Sequence, residues 1–166
     1  MVLEPTFGEY ARAVALMGGR VKTWRARPED KFLVQPAEVE HHLRQFRPRL
    51  LFICNPNNPT GAAVPTGTIA AWADAFPNTL FVVDEAYQAF ADRGDAHRAR
   101  SLHSTAGVGA QNVLTLRSMT KDYALAGLRL GYLVAREEVT GAIARVRPPW
   151  NVNAMAQAAG IAALQQ

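Results

Sequence analysis

The residue types that could do chemistry in this chain fall in three separated segments. Lys121 lies in Arg117-Ser118-Met119-Thr120-Lys121-Asp122-Tyr123, with a hydroxyl at Ser118 three residues before it and a guanidinium at Arg129 eight after. Earlier come Asn55-Pro56-Asn57-Asn58-Pro59-Thr60-Gly61 and Val82-Val83-Asp84-Glu85-Ala86-Tyr87, a turn rich in amides and a carboxylate at the end of an apolar run. A primary amine can attach covalently to a carbonyl carbon and can carry a proton. A buried carboxylate can hold a positive ring nitrogen, amide and phenol donors can hold a phenolate oxygen, and a hydroxyl with a guanidinium can hold a phosphate.

Pyridoxal 5'-phosphate (PLP) makes all of these demands at once, because its protonated pyridine serves as an electron sink and its carbonyl takes a lysine as a Schiff base. The residue chemistry then assigns Lys121 to the covalent attachment and Asp84 to the pyridinium. Asn58 and Tyr87 are donors for the phenolate, and Ser118 and Arg129 are ligands for the phosphate, whose oxygens match the arginine fork.

Singly, an Asn58-Pro59-Thr60-Gly61 turn or an Asp84-Glu85-Ala86 strand end is an ordinary local structure, but ordered and spaced as here they are specific. Together the segments resemble the core of fold-type-I PLP enzymes, the class I/II aminotransferase superfamily, over residues 5 to about 164. Within it the chain resembles the group of histidinol-phosphate aminotransferases and threonine-phosphate decarboxylases. The resemblance implies that Lys121 is the Schiff-base lysine and proton shuttle, with Asp84, Asn58, Tyr87, Ser118 and Arg129 as cofactor ligands. In Glu4-Pro5-Thr6-Phe7-Gly8-Glu9-Tyr10 it makes Phe7 the aromatic ring stacked on the cofactor.

The same resemblance implies an α/β fold, a three-layer αβα sandwich with a mostly parallel sheet. Residues 1–166 would form the central part of the large, PLP-binding domain. The family's preceding phosphate-binding segment and its C-terminal small domain, which carries an arginine for the substrate carboxylate, would lie outside these residues. A homodimer with its site near the subunit interface is implied as well.

The reaction is divided between alternatives. Asn151-Val152-Asn153 and Ala124-Leu125-Ala126-Gly127 resemble the aminotransferases, which move an amino group between an amino acid or phosphorylated amine and a 2-oxo acid. Arg117-Ser118-Met119-Thr120-Lys121 and Trp150 lean towards the decarboxylases. A non-catalytic domain or inactive fragment of the same fold is the third possibility, against which the presence of both Lys121 and Asp84 counts.

Composition restricts the rest. Of 166 residues, 49% are hydrophobic and 19% charged, as in one globular unit with a substantial core. No run approaches the roughly 20 apolar residues of a membrane helix, and no basic segment leads into an apolar one at the N-terminus, so a cytoplasmic location is expected. The net charge of +4 is scattered over 20–27, 44–49, 93–100 and 145–147 without interleaved aromatic residues, which argues against nucleic acid and is compatible with anionic ligands. Cys54, the one cysteine, ends an apolar run and reads as a buried thiol. His41 and His42 have no acidic or cysteine partners at metal spacing, His97 and His103 lie in an irregular stretch, and Trp24 and Trp72 read as packing residues. Glu85 is expected to point away from the side that Asp84 faces.

Periodicity and breakers predict helices over 9–17, 36–46, 66–75 and 137–146, with an Ala/Gln-rich helix after 153. Strands are predicted over 20–24, 49–54, 79–84, 112–116 and 130–135, and a loop with one short helix over 90–109. Asn58, Asp84 and Ser118 then all follow carboxyl ends of strands, where open α/β sheets bind ligands.

Overall fold

The structure is a computed structural model that describes residues 1–91 and 111–165. The predicted loop over 90–109, with His97 and His103, therefore lies almost wholly outside the described residues. Six strands, β1 (Val2–Glu4), β2 (Thr23–Arg25), β3 (Leu50–Cys54), β4 (Leu80–Asp84), β5 (Val113–Ser118) and β6 (Gly131–Val134), form one sheet in the order β2-β1-β3-β4-β5-β6. The first five run parallel, and β6 is antiparallel to β5.

Side-chain alternation along the strands explains the layers. On β3, Leu51 and Ile53 join the main core, while Phe52 and Cys54 belong to a smaller cluster with Val2 and Tyr10. Successive side chains on a strand point to opposite faces, so each cluster marks one face of the sheet. Helices α2 (Pro36–Phe46) and α3 (Thr66–Ala75) cover the first face with Val39, Leu43, Ile69, Trp72 and Ala73. Helix α1 (Glu9–Leu16) covers the second through Tyr10. The change of face coincides with the reversal of strand order, since α1 joins β1 to β2 whereas α2 and α3 lead towards β3 and β4.

The helix signals act locally as their chemistry requires. Pro36 stands in the first turn of α2, where its missing N–H costs nothing, and Arg47 closes that helix in the left-handed region at φ 43°. Helix α4 (Glu137–Val146) starts on two acidic residues, and the Asn153 side chain caps α5 (Ala154–Leu164) by accepting from Ala156 N at 2.9 Å. The strand predicted over 20–24 is confined to Thr23–Arg25, and β5 runs two residues beyond 116. The three-residue β1 is too short for a period and shows itself only by pairing with both β2 and β3.

Trp24 and Trp72 do pack, at 3% and 1% exposure, and Trp24 Nε1 donates to Glu38 Oε2 at 2.9 Å. Leu43 is wholly buried between α2 and the sheet. Leu43→Ala is therefore expected to cost about 2–5 kcal/mol, read as a lowered urea midpoint with an unchanged slope.

Candidate active site

The turn after β3 consumes two of its asparagines and leaves the third at the cavity. Asn55, 2% exposed, accepts from Val64 N at 2.8 Å and donates to Val64 O at 3.0 Å, which clamps the far end of the loop. Asn57 donates to Pro5 O and to Thr60 Oγ1, both at 2.8 Å, and accepts from Thr6 Oγ1, so it fixes residues 5–7 beside the turn. Gly61, at φ 72°, supplies the left-handed conformation that lets its N–H reach Asn57 O at 2.8 Å. Asn58 lines the cavity, and its backbone N–H donates to Cys54 Sγ at 3.4 Å.

Asp84 is the last residue of β4, and both of its carboxylate oxygens have donors. Ala86 N lies 3.0 Å from Oδ1, and the Tyr10 hydroxyl lies 2.6 Å from Oδ2. Burial pushes the Tyr10 phenol well above its ordinary range, and the charge of Asp84 adds to that. The Cys54 thiol is also pushed up, by burial, as expected for a structural rather than a reactive cysteine. Tyr10 is not among the motif residues of the sequence; the available signal was its place three residues after Phe7, on the inward face of α1.

Ser118 ends β5, and its hydroxyl pairs with Thr120 Oγ1 at 2.7 Å. Met119 is buried and ties the following segment back, its N–H donating to Leu130 O and its carbonyl accepting from Leu125 N, each at 3.1 Å. Arg129 leaves this segment in the left-handed region at φ 53°. Glu85 is nearly sealed and pairs with Arg117 at 2.9 Å, across the ends of β4 and β5. Gly131 faces Arg117 so closely that a Cβ would lie 2.7 Å from Arg117 O, which keeps β6 tight against the site strand.

These ends meet in one cavity of about 260 Å3, lined by Phe7, Asn58, Asp84, Tyr87, Ser118, Lys121 and Arg129, together with Tyr10, Cys54, Ala86, Leu116, Arg117 and Thr120. All seven residues singled out from sequence thus converge. Lys121 Nζ stands 5.5 Å from the centre of the Tyr87 ring. Phe7, about half exposed at the mouth, meets Tyr10 edge-on at 5.7 Å. Among the described residues no carboxylate lies within ion-pair distance of Lys121 or Arg129, so the cavity is lined by Asp84, by Arg117, which pairs with Glu85, and by two cations without such a partner. Trp150 is 95% exposed and is not part of this lining. Among the described residues no group of three or more His, Cys, Asp and Glu could hold a metal, and no helix is long and apolar enough to cross a membrane.

Comparison with known proteins assigns the class. The profile of the aminotransferase class I and II family matches residues 1–166, and the chain belongs to that family of PLP-dependent enzymes. It is 41% identical over 167 residues to a histidinol-phosphate aminotransferase of Moorella thermoacetica, covering 99% of this chain and 41% of that protein. The solved histidinol-phosphate aminotransferase of Sinorhizobium meliloti in complex with pyridoxal-5'-phosphate superposes with a TM-score of 0.86 at 28% identity, over 100% of this chain and 44% of its own. L-threonine-O-3-phosphate decarboxylase of Porphyromonas gingivalis superposes with a TM-score of 0.78 at 25% identity, over 99% of this chain and 46% of its own. The chain thus spans less than half the length of these relatives.

Removing one member of the Glu85–Arg117 pair leaves a charge with little solvent. Glu85→Ala is expected to destabilise the protein by about 3–5 kcal/mol in chemical denaturation, a loss that Glu85→Ala combined with Arg117→Met should partly recover.

Proposed function

We propose that this chain holds PLP in the cavity at the ends of β3, β4 and β5, and that the whole protein is an aminotransferase of the histidinol-phosphate type. The observation that carries this is the convergence on one cavity of seven residues from separated segments, each of a type the cofactor needs. The donor set suits the group: a carboxylate for a positive ring nitrogen, an amide and a phenol for the ring oxygen, and a hydroxyl with two cations that have no carboxylate partner among the described residues for a phosphate and a carbonyl.

In this reading Asp84 holds the ring nitrogen, Asn58 and Tyr87 hold the ring oxygen, Ser118 and Arg129 hold the phosphate, and Phe7 covers a ring face. Bound there, PLP supplies an electron-poor conjugated ring that stabilises negative charge on an adjoining carbon. Lys121 would carry the covalent attachment, and once the substrate's own amine displaces it, its freed Nζ would take a proton from the substrate carbon and return it at a second carbon. The Tyr87 ring lies beside that amine, with its centre 5.5 Å from Nζ. The donor is an amino acid or phosphorylated amine, and the acceptor a 2-oxo acid. Residues 1–166 form the central part of the PLP-binding domain of a cytoplasmic homodimer, with the substrate-carboxylate arginine outside this chain. The decarboxylase likeness supports a second reading, in which the same site releases carbon dioxide from a phosphorylated amino acid.

Borohydride reduction of the whole protein with PLP, followed by peptide mass spectrometry, is expected to place the cofactor on Lys121. Lys121→Ala should abolish the adduct, and an adduct persisting elsewhere would overturn the assignment. Arg129→Ala should weaken PLP binding about tenfold or more, the size of a charge-assisted contact. Amino transfer from glutamate would support the main reading, whereas carbon dioxide release from O-phosphothreonine without it would select the second.

A further inference from the structure

The hydroxyl of Tyr10 is locked in place. Its ring is 7% exposed, stacks on Phe52 at 5.4 Å and 17°, and meets Phe7 edge-on at 77°. It comes from α1 on one face of the sheet, yet it reaches the last residue of β4 and donates to Asp84 Oδ2 at 2.6 Å. With Ala86 N on Oδ1, the carboxylate has one fixed donor on each oxygen, and neither donor can swing away without moving a helix or a strand end. Each carboxylate oxygen accepts more than one hydrogen bond, so capacity towards the cavity remains.

We infer that Tyr10 is a positioning residue for the cofactor's ring nitrogen, acting through Asp84: its hydroxyl fixes the orientation of the carboxylate that the nitrogen meets. The inference rests on the proposed role of Asp84. Because burial and the neighbouring charge hold the phenol in its neutral form, it stays a donor throughout the physiological range. A donor of this kind spreads the carboxylate charge and sets its direction, and both bear on how strongly a protonated pyridine is held. A tyrosine serving only as core would need neither the hydroxyl nor its aim.

The test compares two ligands in the whole protein: PLP and its 1-deaza analogue, in which carbon replaces the ring nitrogen. Wild type is expected to prefer PLP. Tyr10→Phe, which keeps the ring, should reduce that preference about tenfold, one hydrogen bond to a charged group, while leaving the analogue's affinity nearly unchanged. Asp84→Asn should remove the preference. Equal weakening of both ligands by Tyr10→Phe would assign the residue to packing, and an unchanged preference would show no role, so either overturns the inference. Indifference of wild type and Asp84→Asn to the ring nitrogen would instead overturn the role of Asp84, and the inference with it. If Tyr10→Phe does not fold, Tyr10→His supplies a ring with a donor nitrogen; it should retain part of the preference, and complete loss with intact analogue binding would overturn the inference.

Discussion

Three parallel strands end at a common level, and the site depends on that register. Cys54 pairs with Asp84, and Asp84 with Leu116, so the carboxyl ends of β3, β4 and β5 form one rim. A parallel ladder fixes each strand against its neighbour, and a slip of a single residue would turn Asp84 to the opposite face. The main core locks the register from below, because Leu51, Ile53, Phe81, Val83 and Val113 interlock there with α2 and α3.

Charge placed on this rim then needs compensation. Asp84 keeps its place because it draws donors from two elements, Ala86 just beyond its own strand and Tyr10 from α1. Glu85, one residue on and almost sealed, pairs with Arg117. That pair consumes one acid and one base and thereby separates structure from chemistry: Lys121 and Arg129 line the cavity with no carboxylate partner among the described residues. Cations without a carboxylate partner among the described residues favour an anionic ligand in the cavity they line, as the family's phosphate-bearing cofactor is.

The family is shared with proteins of more than one chemistry, since both aminotransferases and a phosphothreonine decarboxylase superpose on the same framework. Of the residues proposed to hold the cofactor, Asn58, Asp84 and Ser118 lie at or just beyond the ends of β3, β4 and β5 in that framework. Groups that orient a substrate determine which bond reacts.

Much of the fold was determined by sequence alone. Period and breakers place α2 at 36–46, α3 at 66–75 and α4 at 137–146 with the bounds the structure has, because Pro36, the acidic first turn of α4 and the apolar spacing act locally. The residues that line the cavity were also legible, since their types suit PLP chemistry and their order resembles the family's motifs. Tertiary structure decided what depends on contacts distant in sequence. Tyr10 and Asp84 are 74 residues apart, and only the crossing of α1 over the sheet brings the phenol to the carboxylate. Trp150 shares a motif segment with Asn151 and Asn153, yet it stands in solvent, 95% exposed, because no element among the described residues covers it. Glu85 follows Asp84 directly but points to Arg117 on the neighbouring strand, a partner that only sheet pairing supplies.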